Sequence, residues 1–304
     1  MKGIMKSSWV AIPTPFNDDG TIYLKGFEKL IDFHIKYGTD GILVLGSAGE
    51  ASMLSKKEKM EVIEFTTHYA RGKIKLFVGT TQPNTSETIN MTKFALKCNA
   101  DGALMVVPAY IKPPQKAIYD FFKEIATTVD IPIAIYNNPM RVGVNINADT
   151  SIRLAKIPNI IAFKEAISDL SLIQEIIRNV GDDIGVMTCD SPTFSAILPC
   201  LAMGGSGVTN ITGNLAPEEF ATLSQPWKNF EDVIRTRELV FKYYELRQVC
   251  YSLTNPVVIK AGLNLLGLPA GRPRLPLQEL DKEKTTELKE IMERLGILGK
   301  YRVK

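Results

Sequence analysis

Histidine and cysteine are scarce in this chain. Only two histidines, His34 and His68, and four cysteines, Cys98, Cys189, Cys200 and Cys250, occur among its 304 residues, and no two cysteines form a Cys-x-x-Cys pair. That scatter argues against a disulfide framework and against a structural zinc site, so reduced thiols are expected. Both histidines lie in segments of helical periodicity with no second ligand-type cluster nearby, and they read as satisfied or solvent-facing helix residues. Histidine and zinc chemistry are both disfavoured.

Long apolar runs are missing as well. No segment approaches the length of a membrane span, and the stretch Met1-Lys2-Gly3-Ile4-Met5-Lys6-Ser7-Ser8 lacks the apolar core of a signal peptide. A cytoplasmic location is expected. The formal net charge is +3 and the isoelectric point about 8.5, with no Lys/Arg block, which offers nothing to a nucleic acid or a membrane surface. There is no low-complexity segment, and no internal repeat beyond the unit described next.

What is present is an ordinary globular composition, 45% hydrophobic and 23% charged, with 22 glycines and 17 prolines. The length suits one large barrel-type domain with or without a small appendage. From Trp9 onward, short apolar runs alternate with amphipathic stretches. Strands are expected at Val10 to Pro13, Gly41 to Leu45, Lys75 to Gly79, Ala103 to Val107, Pro132 to Tyr136, Ile160 to Lys164, Ile184 to Met187 and Gly207 to Ile211. Helices are expected between them at Leu24 to Tyr37, Lys56 to Ala70, Ser86 to Cys98, Gln115 to Thr128, Asp149 to Ala155, Leu170 to Asn179, Thr193 to Met203 and Pro217 to Ser224. The alternation predicts the α/β class, as a closed (β/α)8 TIM barrel over residues 1–225.

Start signals support several helices, with possible capping boxes at Ser55-Lys56-Lys57-Glu58 and Asn84-Thr85-Ser86-Glu87. Gly38 and Gly102 suit helix-to-strand turns. Beyond the eighth unit the strands stop, and Glu231 to Tyr251, Pro256 to Leu266 and Asp281 to Leu295 read as three further helices. Residues 226–304 therefore form a helical C-terminal extension, punctuated by the Pro-Gly-rich link from Gly267 to Pro273.

Asn159-Ile160-Ile161-Ala162-Phe163-Lys164-Glu165-Ala166 reads as a buried strand that ends in a lysine. Poor hydration at the rim of an apolar strand disfavours an ammonium and should leave a fraction as free amine, as a carbonyl-attacking nucleophile requires. Taken alone, Lys164 reads more readily as a side chain that snorkels to water or pairs with Glu165 or another carboxylate. Its company changes that. In a barrel, chemistry sits where strands end. Strand two ends in Leu45-Gly46-Ser47-Ala48-Gly49-Glu50, strand four in Pro108-Ala109-Tyr110, and strand five in Tyr136-Asn137-Asn138-Pro139-Met140-Arg141. Each has a plainer reading: a tight turn for the glycines, core aromatics for the tyrosines, a surface loop for Arg141. Together, a lysine for an imine, phenols to move protons and an arginine for a carboxylate make a kit for 2-oxo-acid Schiff-base chemistry.

These motifs, with Ala11-Ile12-Pro13-Thr14-Pro15-Phe16, Gly204-Gly205-Ser206-Gly207-Val208 and the stretch from Lys260-Ala261-Gly262 to Leu277, resemble the dihydrodipicolinate synthase and N-acetylneuraminate lyase family of pyruvate-dependent class I aldolases. The resemblance implies that Lys164 forms an imine with pyruvate and that Tyr136 shuttles protons. It implies that Ser47 links Tyr136 to Tyr110, which reaches in from a neighbouring subunit of a homotetramer built as a dimer of dimers. Gly46, Ser47 and Ala48 would bind the pyruvate carboxylate, and Val208 or Thr209 would line its pocket. No metal or organic cofactor is implied, because the lysine imine is itself the electron sink.

Arg141 stands where the synthase branch holds its aldehyde substrate, which favours condensation of pyruvate with aspartate semialdehyde to 4-hydroxy-tetrahydrodipicolinate, in lysine and diaminopimelate biosynthesis. The alternative is an aldolase or dehydratase acting on N-acetylneuraminate, 2-keto-3-deoxy sugar acids or another hydroxylated 2-oxo acid. Two positions depart from the synthase pattern. Ala48 replaces a hydroxyl residue, an expected loss of about 1 to 2 kcal/mol in pyruvate binding where no water compensates. Cys189 replaces a glycine and narrows or reshapes the second-substrate pocket. Pro83 and Ala109 occupy the positions that would hold an inhibitory lysine, so insensitivity to lysine is expected.

Overall fold

In the computed structural model, which describes residues 5–303, eight parallel strands close into a barrel in sequence order. They are β1 (Ser7–Ala11), β2 (Gly41–Val44), β3 (Lys75–Gly79), β4 (Gly102–Val106), β5 (Ile133–Asn137), β6 (Ile160–Glu165), β7 (Gly185–Cys189) and β8 (Gly207–Asn210). β8 pairs back onto β1, with Val208 opposite Ser8. The expected TIM barrel is therefore the fold. The first half of the Met1 to Ser8 stretch lies outside the described residues.

Helices α1 (Leu24–Lys36), α2 (Lys56–Ala70), α3 (Thr85–Lys97), α4 (Gln115–Thr128), α5 (Pro139–Val142), α6 (Ala148–Leu154), α7 (Leu170–Val180), α8 (Ile197–Ala202) and α9 (Pro217–Leu223) follow the strands around the ring. Local chemistry starts many of them. Ser55 and Glu58 complete a reciprocal capping box on α2, whereas Asn84 caps α3 through its own side chain by accepting from Glu87 N at 2.9 Å. His34 is buried on α1 beside Thr39, with ring Nδ1 and Thr39 Oγ1 2.9 Å apart, and His68 faces solvent.

Four expectations are corrected. Gly102 is no turn glycine: it opens β4, and a Cβ there would meet the Phe77 ring at 2.4 Å, so the requirement is close packing inside the barrel wall. The turn's left-handed residue is Asn99, with φ 62°. The helix expected from Thr193 begins only at Ile197, because Ser195 takes φ 49° and Pro199 fits only within a first turn. The span Glu231 to Tyr251 divides into α10 (Phe230–Lys242) and α11 (Tyr244–Cys250) at Tyr243, whose buried ring packs edge-on against Phe220 at 6.3 Å. After α12 (Val257–Leu265) and α13 (Lys282–Arg294), an unexpected α14 (Ile297–Tyr301) closes the described chain, starting from Gly296 at φ 75°. Among the described residues no helix is long and apolar enough to cross a membrane.

Candidate active site

Strand alternation decides which β6 side chains face the barrel axis. Lys164 and Glu165 point to opposite sides, so the two do not pair. Glu165 is fully buried and its Oε2 accepts from Asn137 Nδ2 at 2.7 Å, while burial pushes its pKa up to about 8. Lys164, 5% exposed, opens into a cavity of about 540 Å3 at the C-terminal mouth of the barrel.

Tyr136 sits directly across from Lys164 in the β5–β6 register. The lysine Nζ lies 4.1 Å from the centre of the Tyr136 ring. Asn138 Nδ2 donates to Tyr136 Oη at 2.7 Å, which occupies a lone pair and leaves the phenolic proton for a bound substrate. Burial raises the Tyr136 pKa, and the Lys164 charge draws it partly back. Asn138 also accepts from Arg141 N at 3.2 Å, so one amide orients the phenol and starts the short helix that carries Arg141 to the mouth.

The wall beyond is made by β7 and β8. Cys189 Sγ and Thr209 Oγ1 are 3.4 Å apart, and Thr209 Oγ1 donates to Thr188 O at 3.1 Å. Burial lifts the Cys189 thiol pKa, with Lys164 opposing. Behind this wall Asp190 is fully buried. Its Oδ2 accepts from Thr212 N at 3.0 Å and Thr212 Oγ1 at 2.6 Å, and its Oδ1 accepts from Ile211 N at 3.2 Å and from the Tyr251 hydroxyl. Arg247, 3% exposed, donates to the Asp190 carbonyl at 3.4 Å.

A second buried cluster holds the glycine loop. Glu50, in left-handed geometry at φ 54°, meets Lys260 Nζ at 2.6 Å with both side chains buried. Arg274 N donates to Glu50 Oε2 at 2.9 Å, and Lys260 Nζ donates to Arg272 O at 3.0 Å. Burial pulls the Lys260 pKa down to about 8 against the pull of Glu50. The loop bearing Ser47 is thereby fastened to the C-terminal helices.

Of the residues expected at the site, Lys164, Tyr136, Ser47, Arg141, Cys189 and Thr209 line the one cavity. Val208 is buried in β8 outside that lining, and Gly46 and Ala48 flank Ser47 without joining it. Tyr110 stands apart, 93% exposed at φ 79°. Unforeseen lining residues include Asn138, Ser191, Thr193 and Phe194, and the stretch Tyr251 to Asn255 of the C-terminal extension. Asn138 lay within a motif already singled out; nothing in the local pattern marked Tyr251 or Asn255. Among the described residues no group of three or more His, Cys, Asp or Glu could hold a metal ion.

Comparison with known proteins defines the class first: this is a lyase of the class I aldolase type on a (β/α)8 barrel. The model of the dihydrodipicolinate synthetase family matches residues 4–295, and the chain belongs to that family. It is 40% identical over 295 residues to the 4-hydroxy-tetrahydrodipicolinate synthase of Thermodesulfovibrio yellowstonii, covering 97% of this chain and 100% of the relative. The crystal structure of dihydrodipicolinate synthase from Aquifex aeolicus superposes with a TM-score of 0.89 at 36% identity, over 96% of this chain and 99% of that one. The Cyanidioschyzon merolae enzyme, crystallised with lysine bound, gives a TM-score of 0.92 at 32% identity, over 97% and 100% of the two chains.

Proposed function

We propose that this chain condenses pyruvate with aspartate semialdehyde to 4-hydroxy-tetrahydrodipicolinate through an imine on Lys164. The observation that carries the reading is a buried lysine whose Nζ stands 4.1 Å from the Tyr136 ring centre, in a cavity that Arg141 also lines. Lys164 Nζ adds to C2 of pyruvate, and a proton delivered to the carbinolamine oxygen releases it as water. Loss of a C3 proton then gives an enamine. Its C3 attacks the aldehyde carbon, and the aldehyde oxygen takes a proton to become the 4-hydroxyl. The amine of the second substrate finally attacks C2, closing the ring as Lys164 leaves.

Tyr136 is the group placed to ferry these protons, and Asn138 holds its oxygen toward them. Backbone N–H groups of the Gly46-Ser47-Ala48 turn receive the pyruvate carboxylate, and Arg141 receives that of the semialdehyde. No metal is invoked, since a protonated imine withdraws the electrons that a Lewis acid would. Residues 1–225 supply the barrel, and residues 226–304 complete one wall of its mouth. The exposure of Tyr110, Ile111 and Met140, at 93%, 61% and 76%, supports a homotetramer in which Tyr110 enters a neighbouring copy's site beside Ser47. Four free thiols fit a cytoplasmic enzyme.

A coupled reductase assay with pyruvate and aspartate semialdehyde tests the reading, with Lys164→Ala as the blank. Cleavage of N-acetylneuraminate or 2-keto-3-deoxygluconate should be absent. Negligible condensation alongside borohydride trapping of pyruvate on Lys164 would keep the imine and overturn the second substrate.

A further inference from the structure

We infer that Asn137 and Glu165 are positioning residues that act through Arg141, their hydrogen bond pinning the root of the loop that carries the arginine to the barrel mouth. This rests on the reading that Arg141 receives the carboxylate of the second substrate. Strand register fixes Tyr136 and Lys164, but Arg141 stands beyond the end of β5. Of residues 139–145 only Val142 is buried, so packing does little to hold that excursion.

Its root is held instead. Asn137, 1% exposed at the end of β5, accepts at Oδ1 from Ile146 N at 3.1 Å. Its Nδ2 donates to Asn145 Oδ1 at 2.8 Å and to Glu165 Oε2 at 2.7 Å. The chain therefore leaves Asn137 and returns to the same amide eight residues on. One side chain closes the loop that bears both Asn138, which orients Tyr136, and Arg141.

Glu165 sets the direction of that amide. It stands opposite Asn137 in the β5–β6 register, on the face away from the cavity. Among the described residues its side chain makes one hydrogen bond, to Asn137, and its Oε1 is buried without a partner. A buried acid with a bare oxygen lowers stability, and the imine chemistry has no use for it. What it supplies is an acceptor that keeps the Asn137 Nδ2 on its own side and Oδ1 toward Ile146. Oε2 accepts whether the acid is ionised or carries its proton on Oε1, so the hold does not depend on pH.

The experiment measures KM for pyruvate and for aspartate semialdehyde in the full-length enzyme and in Glu165→Leu, Glu165→Gln, Arg141→Ala and the Glu165→Leu/Arg141→Ala pair. Glu165→Leu should raise KM for the semialdehyde about tenfold, the size of one hydrogen bond to a charged group. KM for pyruvate and borohydride trapping on Lys164 should not change. Glu165→Gln restores the acceptor and should return KM to the parent value. Once Arg141 is alanine, Glu165→Leu should add nothing, because the two act as one unit. Asn137→Ala cuts the clamp from the other side and should repeat the Glu165→Leu pattern if that variant folds poorly. An effect that persists on top of Arg141→Ala would overturn the assignment, as would a Gln variant no better than Leu or an unchanged KM in both Glu165→Leu and Asn137→Ala. Amide exchange at Ile146 reads the clamp without substrate: it should quicken in Glu165→Leu and not in Glu165→Gln. That pattern in an enzyme that performs no condensation would overturn the second substrate and leave the clamp standing; unchanged exchange would overturn the clamp itself.

Discussion

The two halves of the pocket are built by different means. On the β5–β6 side, Tyr136, Asn138 and Arg141 lie within six consecutive positions, and Lys164 enters opposite Tyr136 by strand register. Elsewhere the wall of β7 and β8 depends on Tyr251 meeting Asp190 across 61 residues, and the glycine loop after β2 depends on Glu50 accepting from Arg274 N across 224. A strand end places its side chains by backbone geometry alone, so the first half needs little support. The second half holds buried charges that are tolerable only when every partner arrives. Disturbing the first half should therefore cost chemistry, and disturbing the second should cost stability or selectivity.

The sharpest break is Lys164→Ala, which should abolish both turnover and borohydride trapping of pyruvate, read by mass spectrometry of the intact chain. Tyr136→Phe comes next: turnover should slow by roughly two to four orders of magnitude, the range of a positioned acid–base group. Wild-type rates in that variant would remove Tyr136 from the mechanism. On the other side, Lys260→Met leaves Glu50 buried without its cation and should lower unfolding stability by about 3–5 kcal/mol. Chemical denaturation would measure it; an unchanged midpoint would show that the cluster contributes nothing to fastening the Ser47 loop.

Smaller effects separate the two faces of β6. Glu165 has a folded pKa raised from 4.5 to about 8, so the folded state holds an extra proton between those values. Its stabilising contribution is full below about pH 4.5 and is lost as pH rises through 8. Glu165→Gln should melt higher than the parent above pH 8 while leaving the pH profile of turnover unmoved. The smallest expected effect is none. Pro83 and Ala109 are both solvent-exposed, and lysine at sub-millimolar concentration should leave the rate unchanged. Inhibition there would overturn that expectation.

How much was legible follows the same division. All eight strands fell within three residues of their expected ends, because a strand buried on both faces announces itself as a short apolar run. Lys164, Tyr136, Ser47 and Arg141 were legible because they sit at the ends of such runs. Gly102 was misread, since its need is the Phe77 ring on the neighbouring strand rather than a local turn. The break at Tyr243 was invisible for a like reason: Phe220, which its ring meets, lies on another helix.

The sequence by itself determined the closed barrel and the strand ends at which Ser47, Tyr136, Arg141 and Lys164 stand. These are local matters of apolar period, caps and alternation, repeated eight times. Only the tertiary structure decided that Asp190 would be saturated by donors, that Tyr251 would donate one of those hydrogen bonds, and that Lys164 would stand opposite Tyr136. Hydrogen-bond satisfaction in a buried site depends on where distant segments meet, and no local pattern encodes that meeting.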